Sequence, residues 1–222
     1  MDRNTSAPKL LLVYLSMPKT YRSNDSRQRA VEQFRRQGGM LRTKDVLAAG
    51  IHPRTLYALR DEGIIECLSR GLYRLSDAPV LANPDLVAVA KRVPEGVACL
   101  ISALSFHEIT TQIPHEIYLA ISRNAEAPRI DYPPVRIFWF AGKAFTEGLE
   151  THRLDGVPVR IYNKEKTLVD CFKYRNKIGM DTVLEALRLY REQGRIDVQA
   201  LLRYAEIRRV RDVIRPYLEA VL

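Results

Sequence analysis

The 222-residue sequence predicts an α+β protein in two parts. Three observations predict it. Between residues 26 and 75, short segments of helical period are broken by glycines and close in two apolar runs around a Ser69-Arg70-Gly71 turn. From residue 116 to 162 the apolar period switches to two, and beyond Asn163 it returns to helical spacing. Between these regions, SDAPVLANP over 76–84 carries two prolines and no strong period, and reads as a linker. The chain therefore divides into an extension over 1–25, a first domain over 26–78 and a second over 79–222.

Ser26 to Gln37 forms an amphipathic helix with Ala30, Val31 and Phe34 inward, and Gly38-Gly39 ends it. Thr43 is placed to cap a short helix over Lys44 to Ala49, its hydroxyl accepting first-turn N–H groups. Gly50 stops that helix, because a residue without Cβ enters the left-handed turn at least cost. His52 takes the next cap position and Pro53 the first helical position, where its missing N–H does no harm. Arg54 to Glu62 is the second helix, stopped by Gly63. Ile64 to Leu68 and Leu72 to Leu75 are strands around the turn tip. Helix, glycine turn, helix and hairpin make a winged helix-turn-helix, whose second helix suits a DNA major groove.

Ile51, Leu56 and Leu59 share one side of the second helix with Val46 and Leu47 of the first, leaving Arg54, Tyr57, Ala58 and Asp61 outward. A recognition helix reads bases with its first turns, so Arg54, Thr55, Tyr57 and Ala58 are the base-edge candidates. Arg pairs with guanine, and Ala or a Thr methyl meets the thymine methyl. Arg42, Thr43, Lys44 and Arg60 complete the DNA-facing set, Arg42, Lys44 and Arg60 placed for phosphates, and Arg70 at the hairpin tip suits the backbone.

Charge supports this division of labour. Residues 1–75 carry 14 Lys/Arg against 7 Asp/Glu, residues 76–172 carry 10 against 12, and residues 173–222 carry 11 against 7. A basic first third beside a neutral middle points to a polyanion partner for that third. Lys9 to Tyr14 is too short to span a bilayer, and no secretory cleavage pattern follows it. Cys67, Cys99 and Cys171 stand far apart in apolar settings, as buried thiols of a reducing cytosol. The expected location is cytoplasmic, with no membrane partner.

In the second domain Asp85 to Arg92 and Leu100 to Glu108 are helices. Glu116 to Ser122, Val135 to Phe140, Glu150 to Leu154 and Val157 to Tyr162 are strands, the last two flanking an Asp155-Gly156 hairpin turn. Asn163 caps a helix over Lys164 to Tyr174, with Leu168, Val169 and Phe172 inward and Lys164, Lys166, Asp170 and Lys173 outward. Asp181 to Gln193, Val198 to Tyr204 and Ile207 to Val221 follow as helices. The expected architecture is an antiparallel sheet with a C-terminal helical bundle.

Catalytic constellations are thin. There is no phosphate-cradling glycine loop, HExxH or paired CxxC, and the four histidines lack ligand spacing. His107 reads as a packed, hydrogen-bonded histidine. Lys164-Glu165-Lys166 begins a helix and lacks the strand-borne spacing of a metal nuclease. No catalytic residue, metal or cofactor is expected.

GGMLRTKDVLAAGIHPRTLYALRDEGIIECLSRGLYRL resembles the winged helix-turn-helix of the AbiEi-type antitoxins. SALSFHEITTQIP, EIYLAIS and VPVRIYNKEKTLVDCF are similar to that family's second domain, so the resemblance covers roughly 34–216. It implies a bacterial type IV toxin–antitoxin antitoxin. Its N-terminal domain would repress its own operon at promoter inverted repeats. Its C-terminal domain would counter a nucleotidyltransferase toxin, in some members without a stable complex. Charge layout nominates Lys164, Lys166, Lys173, Arg208, Arg209 and Arg211 as the antitoxin surface. Two rivals share parts of this pattern: a winged-helix repressor whose second domain senses a small ligand, and a DNA-targeted nuclease.

Overall fold

A computed structural model describes residues 19–78, 83–194 and 196–221, so the apolar run Lys9–Tyr14 lies outside the described residues. The chain splits into two compact units between residues 79 and 80.

In the first unit, α1 spans Lys19–Arg36 and begins seven residues before the expected Ser26 start. Its Ala30 and Phe34 are fully buried. Arg35 and Arg36 occupy the last turn, where cations complement the helix dipole. β1 (Met40–Arg42) was not foreseen, since three residues are too few to show a period. It pairs antiparallel with β3 (Leu72–Leu75), which pairs with β2 (Ile65–Ser69) in the order β1-β3-β2. Helices α2 (Thr43–Ala48) and α3 (Pro53–Asp61) complete the unit. Val46, Leu56, Leu59, Ile65, Tyr73 and Leu75 join Ala30 and Phe34 in one core, with Ile51 packed at its edge. Two expectations fail here. Leu47 is 46% exposed, because the short α2 has room for only one buried position, taken by Val46. Cys67 is exposed although it lies opposite the buried Tyr73, because it stands two residues beyond Ile65, past the edge of the core, with its thiol 3.2 Å from the Ser69 carbonyl.

The second unit opens with α4 (Pro84–Arg92), β4 (Val97–Ala98) and α5 (Leu100–Phe106). β5 (Ile117–Ser122), β6 (Val135–Phe140), the short α6 (Lys143–Thr146), β7 (Leu149–Leu154) and β8 (Val157–Tyr162) follow. The sheet runs β6-β5-β4-β8-β7. It is mixed and not antiparallel as expected: β5 and β6 are parallel, as are β4 and β8, while β4–β5 and β7–β8 are antiparallel. Residues 123–134 form a connection long enough to carry the chain back to the starting end of the sheet, which a parallel pair requires. Asp155 (φ 49°) and Gly156 (φ 77°) make the tight hairpin turn with both centres left-handed.

α7 (Lys164–Lys173), α8 (Arg175–Ile178), α9 (Met180–Glu192), α10 (Val198–Arg208) and α11 (Arg211–Val221) complete the unit. Arg209 adopts φ 55° and separates α10 from α11, where one helix from Ile207 onward was expected. α7 is the centre. Helices α5, α9, α10 and α11 all pack on it, and residues 166–172 are buried without exception. The outward face assigned to Lys166 and Asp170 does not exist. A helix enclosed on every side still carries alternating charge in its sequence, and those charges pair inside.

Candidate nucleic-acid interface

The glycine turn between α2 and α3 is set by backbone conformation. Gly50 has φ +75°, and a Cβ built there meets nothing within 4 Å, so freedom of φ and not space requires glycine. Its N–H donates to the Leu47 carbonyl at 2.9 Å, and the Ile51 N–H to that of Val46 at 3.2 Å. His52 then caps α3 with its side chain: Nδ1 accepts from the Arg54 N–H at 3.1 Å. Pro53 follows in the first turn.

This geometry presents Arg54 and Tyr57 to solvent, with Thr55 and Ala58 half-buried beside them. Leu56 and Leu59 hold the opposite face in the core. Arg60 is exposed and ordered on its own helix. Its Nε and Nη2 donate to Asp61 Oδ1 at 2.9 and 2.7 Å, and its guanidinium lies 5.2 Å over the Tyr57 ring. A phosphate contact by Arg60 therefore competes with Asp61. Arg42 is similarly engaged, with Nε 3.0 Å from Asp45 Oδ2 and a side chain only 22% exposed. Lys44 is exposed.

Thr43 does not cap α2. Arg42 occupies the cap position without a side-chain bond, and Thr43 is the first helical residue. Its N–H donates to the Gly71 carbonyl at 2.9 Å, and its hydroxyl lies 3.4 Å from the position a Cβ on Gly71 would take. The start of the helix-turn-helix is thereby tied to the hairpin turn that carries the exposed Arg70. Arg74 anchors the hairpin from within, donating to Glu66 at 3.0 Å and to the Ala78 carbonyl at 2.8 Å. Helix α3 and the β2–β3 hairpin are positioned by one small framework.

The six residues nominated for the second surface are not one surface. Lys173, Arg209 and Arg211 are exposed, and Arg211 pairs with Glu206 at 2.5 Å. Lys164 is half-buried, its ammonium 2.6 Å from Gln193 Oε1. Lys166 has no exposed side-chain area and Arg208 has 9%. Both converge on the buried Asp170: Lys166 donates to Oδ2, and Arg208 Nε lies 2.5 Å from Oδ1 as an ion pair off hydrogen-bond geometry. The cations also face aromatic rings, Lys166 at 4.3 Å from the Tyr162 centroid and Arg208 at 4.3 Å from that of Phe140. Gly148 permits this close fit, since a Cβ there would sit 2.6 Å from Lys166 Cβ. Two cations share one carboxylate. Burial consequently pushes the Lys166 ammonium below the usual lysine range, with Asp170 opposing that shift. The i,i+4 spacing of Lys166 and Asp170 was the signal in the sequence, but nothing there indicated Arg208 as the third member.

His107 is half-buried, with Nε2 2.7 Å from the Tyr162 carbonyl, as a packed and bonded histidine. Burial lowers its pKa, partly offset by that bond. Nearby, a cleft of about 470 Å³ is lined by Phe106, His107, Glu108, Lys164 and Gln193. Among the described residues no three His, Cys, Asp or Glu side chains converge as metal ligands, and no helix is long and apolar enough to cross a membrane.

Together, a capped second helix, a glycine turn and a tethered hairpin define a winged helix-turn-helix unit followed by an α+β unit. Residues 28–76 match the sequence model of the family described as "Transcriptional regulator, AbiEi antitoxin", so the family resemblance read from the sequence holds over the first unit. Among solved structures, RV2827C protein from Mycobacterium tuberculosis superposes with a TM-score of 0.56 at 16% identity, covering 82% of this chain and 71% of that one. This likeness is one of fold. No curated protein matches the chain.

Proposed function

We propose that the protein is an autorepressor and antitoxin. It binds inverted repeats upstream of its own gene through α3 and the β2–β3 wing, and counters a nucleotidyltransferase toxin through residues 79–222. The observation that carries the reading is the presentation of Arg54 and Tyr57 on a helix capped by His52, beside a hairpin whose turn carries Arg70 and is tied to the Thr43 N–H through the Gly71 carbonyl. The family match over residues 28–76 supports both halves, since its description names a regulator and an antitoxin.

A ligand-sensing repressor is less well supported. Small-molecule sites are mostly apolar and enclosed, whereas the cleft at His107 is lined by polar groups that bond one another. Gln193 accepts from Lys164 and donates to the carbonyls of His107 and Glu108.

The test is a gel shift on the native promoter against random duplex across a salt series. Arg54→Ala is expected to lose about 1–3 kcal/mol and relax specificity at one base pair. Arg70→Ala is expected to weaken binding to all duplexes and lower the salt slope by about one. Equal binding of promoter and random DNA by the unmodified protein refutes the operator reading.

A further inference from the structure

The five-stranded sheet ends on β6 at one edge and β7 at the other. Open edges offer unpaired backbone groups, and folded proteins protect them with charge, proline or cover. β7, LETHRL, is protected in this way by Glu150, His152 and Arg153. β6, VRIFWF, is not. It has one charged residue, Arg136, held 3.4 Å from Glu116, and neither Pro nor Gly interrupts it. Such a run pairs readily with another strand when its edge is open. On the inner side, the carbonyls of Pro134 and Phe140 accept from Ile117 and Arg123 at 2.8 and 2.7 Å. Alternation along the strand turns the N–H and C=O groups of Val135, Ile137 and Trp139 the other way. Among the described residues no backbone group bonds them there. The Trp139 side chain beside this edge is 49% exposed.

We propose that β6 pairs antiparallel with β6 of a second copy of this chain, joining the two sheets edge to edge about a two-fold axis. Register and charge both select the strand's own copy. Directly opposed residues of an antiparallel pair point to the same side of the sheet. Pairing centred on Ile137 alone engages all three outward residues, with Ile137 opposite its own copy and Val135 opposite Trp139 on each side. That arrangement forms about six backbone hydrogen bonds, two for each opposed pair. It also sets a β-branched side chain against an indole, a favourable cross-strand pair.

In the same register each Arg136 lies opposite the copy's Phe138 and not opposite another Arg. Arg136 already sits 6.0 Å from the Phe138 centroid and 5.7 Å from that of Tyr118 within its own chain. The cation thus meets aromatic faces from both copies, and no like charges oppose each other. A pair of six-residue strands is far smaller than the roughly 1,600 Å² of a standard stable interface. The association is therefore weak and concentration-dependent. It stands apart from the operator reading and is tested without DNA.

Sedimentation velocity of the full chain gives the answer. The mass is expected to rise from one chain, 25.5 kDa, toward twice that between about 5 and 500 µM, the range of weak complexes. Ile137→Lys places a charge on the two-fold, and Ile137→Pro removes an N–H that points only outward. Both are expected to remain monomeric across the range while unfolding as the wild type does. In a Cys67→Ser background, Ile137→Cys is expected to form a disulfide-linked dimer under mild oxidation. The opposed Cα atoms would lie about 5.5 Å apart, within disulfide reach. A wild-type protein that stays monomeric throughout overturns the proposal, as does a dimer that persists in both Ile137 variants. A dimer without the cross-link overturns the register.

Discussion

Asp170→Asn probes the buried charge cluster most directly. The substitution keeps the shape of the side chain and removes the one carboxylate between two enclosed cations, Lys166 with 0% and Arg208 with 9% side-chain exposure. Breaking a buried pair by deleting one partner costs about 3–5 kcal/mol, because the remaining charge is neither solvated nor paired. The aromatic faces at 4.3 Å from Lys166 and Arg208 remain. Each contributes about 0.5–2 kcal/mol, too little to replace the carboxylate. The expected loss is about 3 kcal/mol or more.

Lys166→Met behaves differently, because it leaves Asp170 paired with Arg208 and removes the surplus cation. Its expected effect lies within about 1.5 kcal/mol of the wild type, on either side. The pH dependence separates the two cases further. An unfolded lysine holds its proton to about pH 10.4, while burial makes the folded Lys166 release it earlier. Between the folded and unfolded values the unfolded chain binds more protons, so this contribution to stability grows as pH rises and is lost as pH falls. Lys166→Met abolishes that slope. The chain's one tryptophan, Trp139, lies in the second unit, so urea unfolding followed by its fluorescence reports on this unit alone. An Asp170→Asn protein within about 1 kcal/mol of the wild type refutes the argument, as does Lys166→Met damage equal to that of Asp170→Asn.

Three further outcomes are expected. Gly50→Ala has open space but a left-handed backbone, so it should destabilise the first unit by about 1–2 kcal/mol, read as a drop in its melting temperature. His107 is held neutral by burial, so the unfolded chain binds the extra proton below about pH 6.5. Stability of the second unit should therefore fall on acidification through that value, and His107→Gln, which retains a donor for the Tyr162 carbonyl, should flatten the dependence measured by Trp139 fluorescence. Charge reversal at the exposed Arg209 and Arg211 should leave folding intact and abolish toxin rescue in co-expression, whereas Arg208→Glu should unfold the second unit. Full rescue by the folded Arg209/Arg211 variant removes those residues from the antitoxin surface.

Local chemistry made the helix-turn-helix legible in the sequence. Gly50, His52 and Pro53 act within a few residues of themselves, through a positive φ, a cap and a missing N–H, and their order alone places α2 and α3. The Asp155-Gly156 turn and the Asn163 cap, which accepts from the Lys166 N–H at 2.9 Å, were legible for the same reason. Features that depend on distant partners were not. Thr43 has the composition of a cap, but the Gly71 carbonyl across the hairpin claims its N–H. β1 and β4 are too short for a period and exist because a neighbouring strand offers a ladder. The parallel pairing of β5 and β6 depends on the path of residues 123–134, which no alternation encodes. Lys166 and Asp170 look like a solvated helix face because charge normally seeks water. Only the enclosure of α7, with Arg208 arriving from α10, turns that face into a buried cluster: hydrophobic period records which residues avoid water, while partners for the charges left inside are found only once the chain has folded.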